Sequence, residues 1–280
     1  MEALLHGQVV VVTGGGRGIG RVYAHRLAAA GATVAIVARS AHELAETVDS
    51  IRRAGGHAFS VTADVTDVTA VADAMTEIAK ALGPIDVLIN NAGISGVIGY
   101  TWECDIQAWW RVIEINLGGA MAASRAVLPG MIKRRQGRLV NIVSVAGATR
   151  WPTVSAYSVS KAALIKLTEN IAFECEHFGI AVFAYHPGFL PLGIAQLGLS
   201  MSNSPNQAEA NVAAWCREQI ASGKVTEPEY SADKLLALLS GAHDALSGRY
   251  LSVQDDFDSL AHRVETLDDH NDFLMLRVKV

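Results

Sequence analysis

Four consecutive valines, Val9–Val12, run directly into a glycine-rich turn, and this junction restricts the fold more than any other part of the chain. A run that is apolar at every position suits a strand covered on both faces, as in a parallel sheet. The glycines between Gly14 and Gly20 let the backbone turn tightly from strand into helix. That helix would present free N–H groups and a positive dipole end to a diphosphate. Similar turns occur without a ligand, but the order strand, glycines, helix predicts dinucleotide binding.

The same alternation continues along the chain. Apolar runs alternate with helical patterns from Gln8 to His186, which is typical of a doubly wound parallel sheet with right-handed crossovers. A seventh strand is predicted at residues 248–253. We therefore predict an α/β fold, a single Rossmann-like domain over residues 1–280 with a seven-stranded, mostly parallel sheet flanked by helices. The crossover helices are predicted near residues 18–30, 41–54, 67–82, 105–135 and 155–178.

Three side chains suggest proton-transfer chemistry. Tyr157 and Lys161 lie one helical turn apart, so a helix would place both on one face. Ser144 ends the apolar run 138–144, which reads as a buried strand. A tyrosine hydroxyl has an ordinary pKa of about 10, and a neighbouring ammonium would lower that pKa. Tyr157 could then exchange a proton with a substrate oxygen that Ser144 also holds. The Tyr-x-x-x-Lys spacing alone is also common on solvated helices.

With these motifs in order, the sequence resembles the short-chain dehydrogenase/reductase family over about residues 7–190. Asn90-Asn91-Ala92-Gly93 follows the apolar strand 85–89, where the family has the same four residues. The other matching motifs are Thr13-Gly14-x-x-x-Gly18-x-Gly20, Asn116, Ser144, the pair Tyr157 and Lys161, and Pro187-Gly188.

The resemblance implies a catalytic tetrad of Asn116, Ser144, Tyr157 and Lys161. Tyr157 would be the general acid in reduction and the general base in oxidation. Lys161 would lower the pKa of Tyr157 and bind the nicotinamide ribose, while Ser144 would orient the substrate carbonyl. Asn116 would hold a water that links Lys161 to solvent, or would brace a kink in its helix, and the two roles are compatible. Hydride chemistry belongs to the cofactor.

The resemblance also implies a nicotinamide dinucleotide cofactor. A carboxylate that binds the adenosine ribose is typical of NAD enzymes at the end of the second strand. Here Arg39 stands after the strand 33–38, and Arg17 lies within the glycine turn. Both could be solvated, but cations here favour NADP(H) and leave NAD(H) possible. The expected cofactor-binding residues are Gly14, Arg17, Gly18, Ile19, Gly20, Arg39, Asp64, Val65, Asn91, Ala92, Gly93, Tyr157, Lys161, Pro187 and Gly188.

Within that set, Asp64 and Val65 match a family pair that contacts adenine. Asp64 could alternatively only satisfy backbone N–H groups in its turn. The family often has a threonine shortly after Pro-Gly to bond the cofactor carboxamide. Phe189-Leu190-Pro191-Leu192 supplies none, so that contact must come from elsewhere.

Composition narrows the class of protein. The chain has 280 residues, 50% hydrophobic and 18% charged, with a net charge of −5, which argues against a nucleic-acid partner. No apolar stretch reaches membrane-spanning length, and residues 1–7 leave no room for a secretory signal. Three widely spaced cysteines, Cys104, Cys175 and Cys216, suggest free thiols and a cytoplasmic location. None has zinc-ligand spacing, so no metal site is expected.

Two regions depart from the common family pattern. Residues 189–226 lie where family members have a mobile substrate lid, although an ordinary packed insertion would look similar. The apolar residues that suggest a cover over a hydrophobic substrate are Phe189, Leu190, Leu192, Ile194, Leu197, Leu199 and Met201. Within the C-terminal region, 248–280, the second departure is the tail beyond the seventh strand, residues 255–280. Asp255, Asp256 and Asp258 predict a helix start there. The acidic run 268–272 is interpreted as a solvated turn, and the apolar end, 273–280, could dock on the body or on a second subunit.

The resulting hypothesis is an NADP(H)-dependent oxidoreductase that reduces an apolar ketone or aldehyde to an alcohol, reversibly. One alternative is a reductase of 3-oxoacyl thioesters on a carrier protein, for which Lys133-Arg134-Arg135 could form a docking surface, although a solvated helix end is the default interpretation. Another is a non-catalytic NADP-binding redox sensor, which would not need the tetrad. Family resemblance implies a homodimer or homotetramer through the helices near 105–135 and 155–178.

Overall fold

The computed structural model describes residues 4–266 and 272–277. The strands are β1 (Val9–Thr13), β2 (Thr33–Ala38), β3 (His57–Thr62), β4 (Ile85–Asn90), β5 (Gly137–Ile142), β6 (Ile180–His186) and β7 (Tyr250–Ser252). The helices are α1 (Gly18–Ala29), α2 (Ala41–Arg53), α3 (Val68–Leu82), α4 (Ile106–Ile113), α5 (Gly119–Arg134), α6 (Ser155–Cys175), α7 (Ile194–Ser200), α8 (Gln207–Ala221), α9 (Pro228–Leu238) and α10 (Phe257–Glu265).

The strands form one seven-stranded sheet, as predicted, and their order is β3-β2-β1-β4-β5-β6-β7. Every pairing among the described strands is parallel. The chain order reverses between β1 and β4, so the loops after these strands diverge and leave a crevice at the carboxyl edge of the sheet. A crevice of this kind is where doubly wound sheets bind ligands.

The four valines of β1 show why this strand lies in the interior of the sheet, buried on both faces. Val10 and Val12 contribute to one core cluster, and Val9 and Val11 to the other. Successive strand side chains point to opposite faces, so both faces of β1 are buried. Residues of α1, α2 and α9 complete the first cluster, and residues of α3, α5 and α6 complete the second. The helices on both faces therefore fix the position of the carboxyl edge.

The predicted helix near 105–135 is interrupted. A π-helical turn at Glu114–Gly118 separates α4 from α5. Such turns insert an extra residue and are frequent at functional sites. The seventh strand, Tyr250–Ser252, is also shorter than the predicted 248–253, and Gly248, two residues before it, takes a left-handed φ of 84°.

The C-terminal tail docks on the same chain. Asp256 caps α10 by accepting a hydrogen bond from Ser259 N at 3.3 Å, so the helix starts where Asp255, Asp256 and Asp258 predicted. Leu274 O accepts from Tyr250 N at 2.9 Å, beside β7 at the edge of the sheet. Arg277 donates to both carboxylate oxygens of Glu169 on α6. Of the acidic run 268–272 and the apolar end 273–280, residues 268–271 and 278–280 lie outside the described residues.

The region predicted as a lid contains α7 and α8, joined by a short 3₁₀ turn at Met201–Asn203. Its two ends meet where Thr226 N donates to Phe189 O at 2.8 Å. No helix in the described part of the chain is long and apolar enough to cross a membrane.

Candidate active site

The glycine turn after β1 can accept no larger residue at several positions. Gly14 and Gly18 take left-handed φ values of 67° and 55°. A Cβ on Gly14 would lie 3.0 Å from Ala92 Cα, and one on Gly20 would clash with Gly14 O and Asn91 Nδ2. The glycines are therefore required by close approach of two loops, as well as by backbone conformation.

Those two loops, after β1 and after β4, are hydrogen-bonded to each other. Thr13 Oγ1 accepts from Asn91 N at 3.0 Å and from Ala92 N at 3.1 Å. Asn91 Nδ2 donates to Thr13 O at 2.9 Å. Thr13 thus anchors the predicted Asn91-Ala92-Gly93 segment. This role could not be assigned from sequence because the partners are far apart in the chain.

Helix α1 begins directly at this braced turn. Among the described residues no side chain caps its N-terminus, and its first turn contains no acidic residue. Ile19 packs against the core and orients the helix. Free N–H groups and the positive dipole end therefore face the crevice, and both favour a diphosphate. The turn fits the dinucleotide that the sequence predicted.

Asn116 lies in the π-helical turn and is almost fully buried, with 1% of its surface exposed. Its Oδ1 accepts from Ile94 N and its Nδ2 donates to Ile94 O, both at 2.9 Å. Nδ2 also donates to Ser160 Oγ at 3.0 Å. Asn116 therefore ties the segment after Gly93 to α6. The predicted bracing role agrees with these contacts, and Ser160 is a partner that sequence reasoning missed.

Lys161 is buried on the face of α6 that carries Tyr157. Its Nζ donates to Ile142 O, at the end of β5, at 2.7 Å and lies 5.8 Å from the centre of the Tyr157 ring. A Cβ on Gly93 would lie 3.1 Å from Asn116 Oδ1 and 3.7 Å from Lys161 Nζ, so these groups are neighbours. Burial lowers the pKa of Lys161 to about 8.

The predicted lowering of the Tyr157 pKa is wrong for this structure. Burial raises the pKa of Tyr157, and hydrogen bonding with Ser144 only partly opposes this rise. Removing the phenol from water penalises its charged form. The expected one-turn spacing is present, but the Lys161 ammonium is directed at the Ile142 carbonyl.

Ser144 follows β5 and starts a 3₁₀ turn at Val145–Gly147, where its Oγ accepts from Ala146 N at 3.2 Å. Strand β5 and helix α6 thus place Ser144, Tyr157 and Lys161 together at the carboxyl edge. The arrangement provides one hydroxyl that can orient an oxygen and a second that can exchange a proton with it.

The two arginines expected near the adenosine each have an acidic neighbour. Arg17 lies 3.6 Å from Glu43, and Arg39 lies 3.8 Å from Asp64. Asp64 also accepts from Arg111 at 3.3 Å and from Thr66 N and Oγ1. Sequence reasoning missed Glu43 and Arg111, because no local pattern marks pairs formed between separate elements.

Asp64 is held in its charged form. Partial burial works against its ionisation, but the hydrogen bonds from Thr66 and the charges of Arg111 and Arg39 keep the pKa of Asp64 below its ordinary value. The alternative in which Asp64 satisfies groups in its own turn agrees with the Thr66 contacts. Val65 is buried and packs on Gly119, where a Cβ would lie 2.8 Å from it.

The Pro187-Gly188 turn follows β6 beside Ser144. Gly188 takes a φ of 83° and packs so closely on Thr226 that a Cβ would clash with Thr226 Oγ1. Thr226 is therefore the threonine next to this turn, although it lies far along the chain. Before the turn, His186 stacks on Tyr250, and burial lowers the pKa of His186 to about 4. His186 is thus neutral at physiological pH.

An apolar wall adjoins Tyr157. Tyr157, Trp151, Met201 and Val212 pack against one buried cluster. Trp215 on α8 contacts the rings of Trp151 and Phe189. Phe189 and Met201 belong to the apolar residues predicted for the lid, whereas Trp151 and Trp215 were missed. No group of three or more His, Cys, Asp or Glu side chains that could hold a metal occurs among the residues described.

A doubly wound sheet with a braced glycine turn and a Ser, Tyr and Lys group at its carboxyl edge defines a dinucleotide-dependent oxidoreductase. The family model described as short chain dehydrogenase matches residues 8–196. The chain belongs to the short-chain dehydrogenase/reductase family, whose members act on CH–OH groups with a nicotinamide dinucleotide.

Relatives extend over nearly the whole chain. Short chain dehydrogenase mpl6 of Monascus purpureus is 35% identical over 94% of this chain and 86% of its own length. A variant of actinorhodin polyketide ketoreductase with NADPH superposes with a TM-score of 0.81 at 30% identity, covering 90% of this chain and 97% of its own. An NAD⁺-bound xylitol dehydrogenase gives 0.80 at 30% identity, covering 89% and 98%.

Proposed function

We propose that this protein is a single-domain carbonyl reductase that converts an apolar ketone or aldehyde to an alcohol, reversibly. The observation that carries the proposal is the grouping of Ser144, Tyr157 and Lys161 at the carboxyl edge of the sheet, next to the braced turn that fits a dinucleotide. The residues expected to bind the cofactor lie along this edge, from Gly14–Gly20 through Asn91–Gly93 to Pro187 and Gly188.

Each side chain has a distinct part in the proposed reaction. Because its pKa is raised, Tyr157 is protonated at neutral pH and can donate its proton to the substrate oxygen during reduction. Ser144 donates a hydrogen bond to the same oxygen and orients it. Lys161 supplies positive charge near the phenol, and Asn116 fixes the loop that lies beside Lys161. The bound nicotinamide supplies or accepts the hydride.

NADP(H) is the cofactor that we favour. Arg39 and Ser40 follow β2, where a carboxylate would repel a 2′-phosphate. Arg17 and Arg39 are also exposed, with 76% and 63% of their side chains accessible, so both can turn to a phosphate. The acidic neighbours Glu43 and Asp64 reduce this preference and leave NAD(H) possible.

The thioester alternative has weaker support. Arg134 donates to Ile85 O and lies 3.6 Å from Asp86, and Arg135 donates to His177 O and lies over the Phe178 ring. Two of the three cations proposed for carrier docking are thus engaged within the chain. The redox-sensor alternative would not need the grouping of Ser144, Tyr157 and Lys161.

We further propose that the protein forms a homo-oligomer through α4, α5 and α6. Exposed apolar side chains on these helices support it, namely Trp110, Met121, Val159 and Phe173. Phe173 is the most exposed of the four, with 79% of its surface accessible. A cytoplasmic location agrees with the three free cysteines.

A cofactor-oxidation screen tests the function. NADPH and NADH are each offered with aliphatic ketones, ring ketones, aldehydes and 3-oxoacyl thioesters, and loss of reduced cofactor is followed by absorbance. We expect turnover with apolar ketones and a higher kcat/KM with NADPH. Cofactor binding without turnover of any substrate, in either direction, would support the redox sensor instead.

A further inference from the structure

Three aromatic side chains from three separate segments meet beside the candidate active site. Trp151 lies between the Ser144 turn and α6, Phe189 directly follows Pro187-Gly188, and Trp215 lies on α8. The Trp151 and Trp215 ring centres are 4.4 Å apart, and those of Phe189 and Trp215 are 5.1 Å apart. Both pairs are crossed, at 68° and 86°. We call these three residues the aromatic cluster.

The aromatic cluster is continuous with the proton-donating residue. Trp151 and Tyr157 pack against the same buried residues, Ile98, Val154 and Ala208. All three rings of the cluster are partly exposed, so they do not belong to the buried core and can contact a bound molecule. An oxygen held by Ser144 and Tyr157 would therefore belong to a molecule whose body lies against these rings.

Resting on the proposed function, we propose that the aromatic cluster selects the substrate and that the substrate is a ketone with a fused or aromatic ring system. A rigid, flat body presents its face or edge to aromatic rings, and such contacts add attraction beyond the apolar area that is buried. A flexible alkyl ketone of equal size would gain the area but would lose rotational freedom on binding. A charged substrate would be disfavoured, because an apolar wall cannot compensate its lost hydration.

Trp215 offers the sharpest test because it contacts both other rings. Trp215→Leu removes the ring but keeps apolar volume, and Trp215→Phe keeps a ring. For each protein, kcat/KM is measured with β-tetralone and with methyl octyl ketone, which has the same number of carbon atoms but no ring. We expect Trp215→Leu to lower the ring-to-chain ratio of kcat/KM about two- to tenfold, and Trp215→Phe to restore most of it.

Trp102→Leu is the matched control, since Trp102 is 79% exposed and stacks only on Tyr100 among the ring contacts of the described residues. Cofactor affinity, measured by fluorescence titration, should be unchanged in all three variants. If the cluster only holds α8 in place, Trp215→Leu will lower kcat/KM for both ketones equally, which overturns the inference.

The other outcomes separate this inference from the proposed function. A wild-type protein that prefers the linear ketone, or that reduces neither ketone but reduces other carbonyls, overturns the ring-selection inference and leaves the proposed function standing. A protein that binds cofactor but transforms no carbonyl or alcohol contradicts the proposed function, and the inference fails with it.

Discussion

The nicotinamide end and the adenosine end of the proposed cofactor site are held together differently. Asn116 and Lys161 are 1% and 4% exposed, and their polar atoms make buried or partly buried hydrogen bonds of 2.7–3.0 Å. Arg17 and Arg39 are mostly exposed and lie 3.6 and 3.8 Å from their carboxylates. Exposed pairs are weak and screened by solvent, whereas breaking buried hydrogen bonds is costly. The positions of the buried residues proposed for the chemistry should therefore be rigid, whereas substitutions at the exposed arginines should readily change the cofactor preference.

The strongest test of the buried end is Tyr157→Phe, which removes the hydroxyl and keeps the ring in its apolar cluster. We expect kcat for ketone reduction to fall by about a hundred- to ten-thousand-fold, the usual contribution of a positioned general acid. The cofactor dissociation constant should stay nearly unchanged. Tyr230→Phe, on the exposed face of α9, is the control and should keep full activity. Retained turnover in Tyr157→Phe would remove this residue from the mechanism.

The exposed end is tested by Arg39→Asp. A carboxylate at the end of β2 would repel a 2′-phosphate and could bind ribose hydroxyls instead. We expect the NADPH dissociation constant to rise about ten- to hundredfold, the range for losing a charged hydrogen bond, with little change for NADH. Arg53→Asp, at the opposite end of α2, carries the same charge change and should affect neither cofactor. Equal weakening of both cofactors would contradict the phosphate assignment.

The pH dependence of reduction sharpens the comparison further. Tyr157 has a raised pKa and keeps its proton at neutral pH, whereas Lys161, with a pKa of about 8, loses its charge above that pH. We expect kcat/KM for the reduced cofactor to be level below about pH 8 and then to fall about tenfold per pH unit.

Any activity left in Lys161→Arg should lack this fall, because a guanidinium does not titrate there. Circular dichroism over the same pH range shows whether the protein stays folded. A wild-type profile that stays level far above pH 8 would exclude Lys161 as the group whose charge matters.

Patterns local in sequence predicted the fold and the pair Tyr157 and Lys161, whereas Asn116 was expected only from the family resemblance. The valines of β1 indicated a strand buried on both faces, and acidic residues such as Asp256 marked a helix start. The burial of the Tyr157 hydroxyl, and its effect on the pKa of that group, was harder to predict. The spacing of Tyr157 and Lys161 indicated a shared face, but it could not show that the Lys161 ammonium would be directed at the Ile142 carbonyl and that burial would raise the pKa of Tyr157. The predicted direction of the tyrosine pKa was therefore wrong.

Contacts between distant segments escaped prediction for a related reason. Arg111 and Asp64 lie 47 positions apart and meet only because α4 packs beside the turn after β3. Trp151 and Trp215 are in contact only because α8 packs beside the loop that precedes α6. Neither pair follows a helical or strand period, so no sequence pattern marks it.

Glu43→Gln should give the smallest effect and tests whether the exposed end is tuned by its acidic neighbours. Glu43 packs against Gly16 and lies 3.6 Å from Arg17, so its charge opposes a phosphate bound at this turn. We expect the variant to tighten NADPH about two- to threefold, as for other exposed charge pairs, and to leave NADH unchanged. Glu46→Gln is the matched control, because Glu46 pairs with Arg21 at 3.7 Å, one turn further along α2. The gain should shrink at high ionic strength, since exposed charges are screened. An equal gain in both variants would reflect net charge alone. It would contradict a specific effect of Glu43 on the cofactor preference.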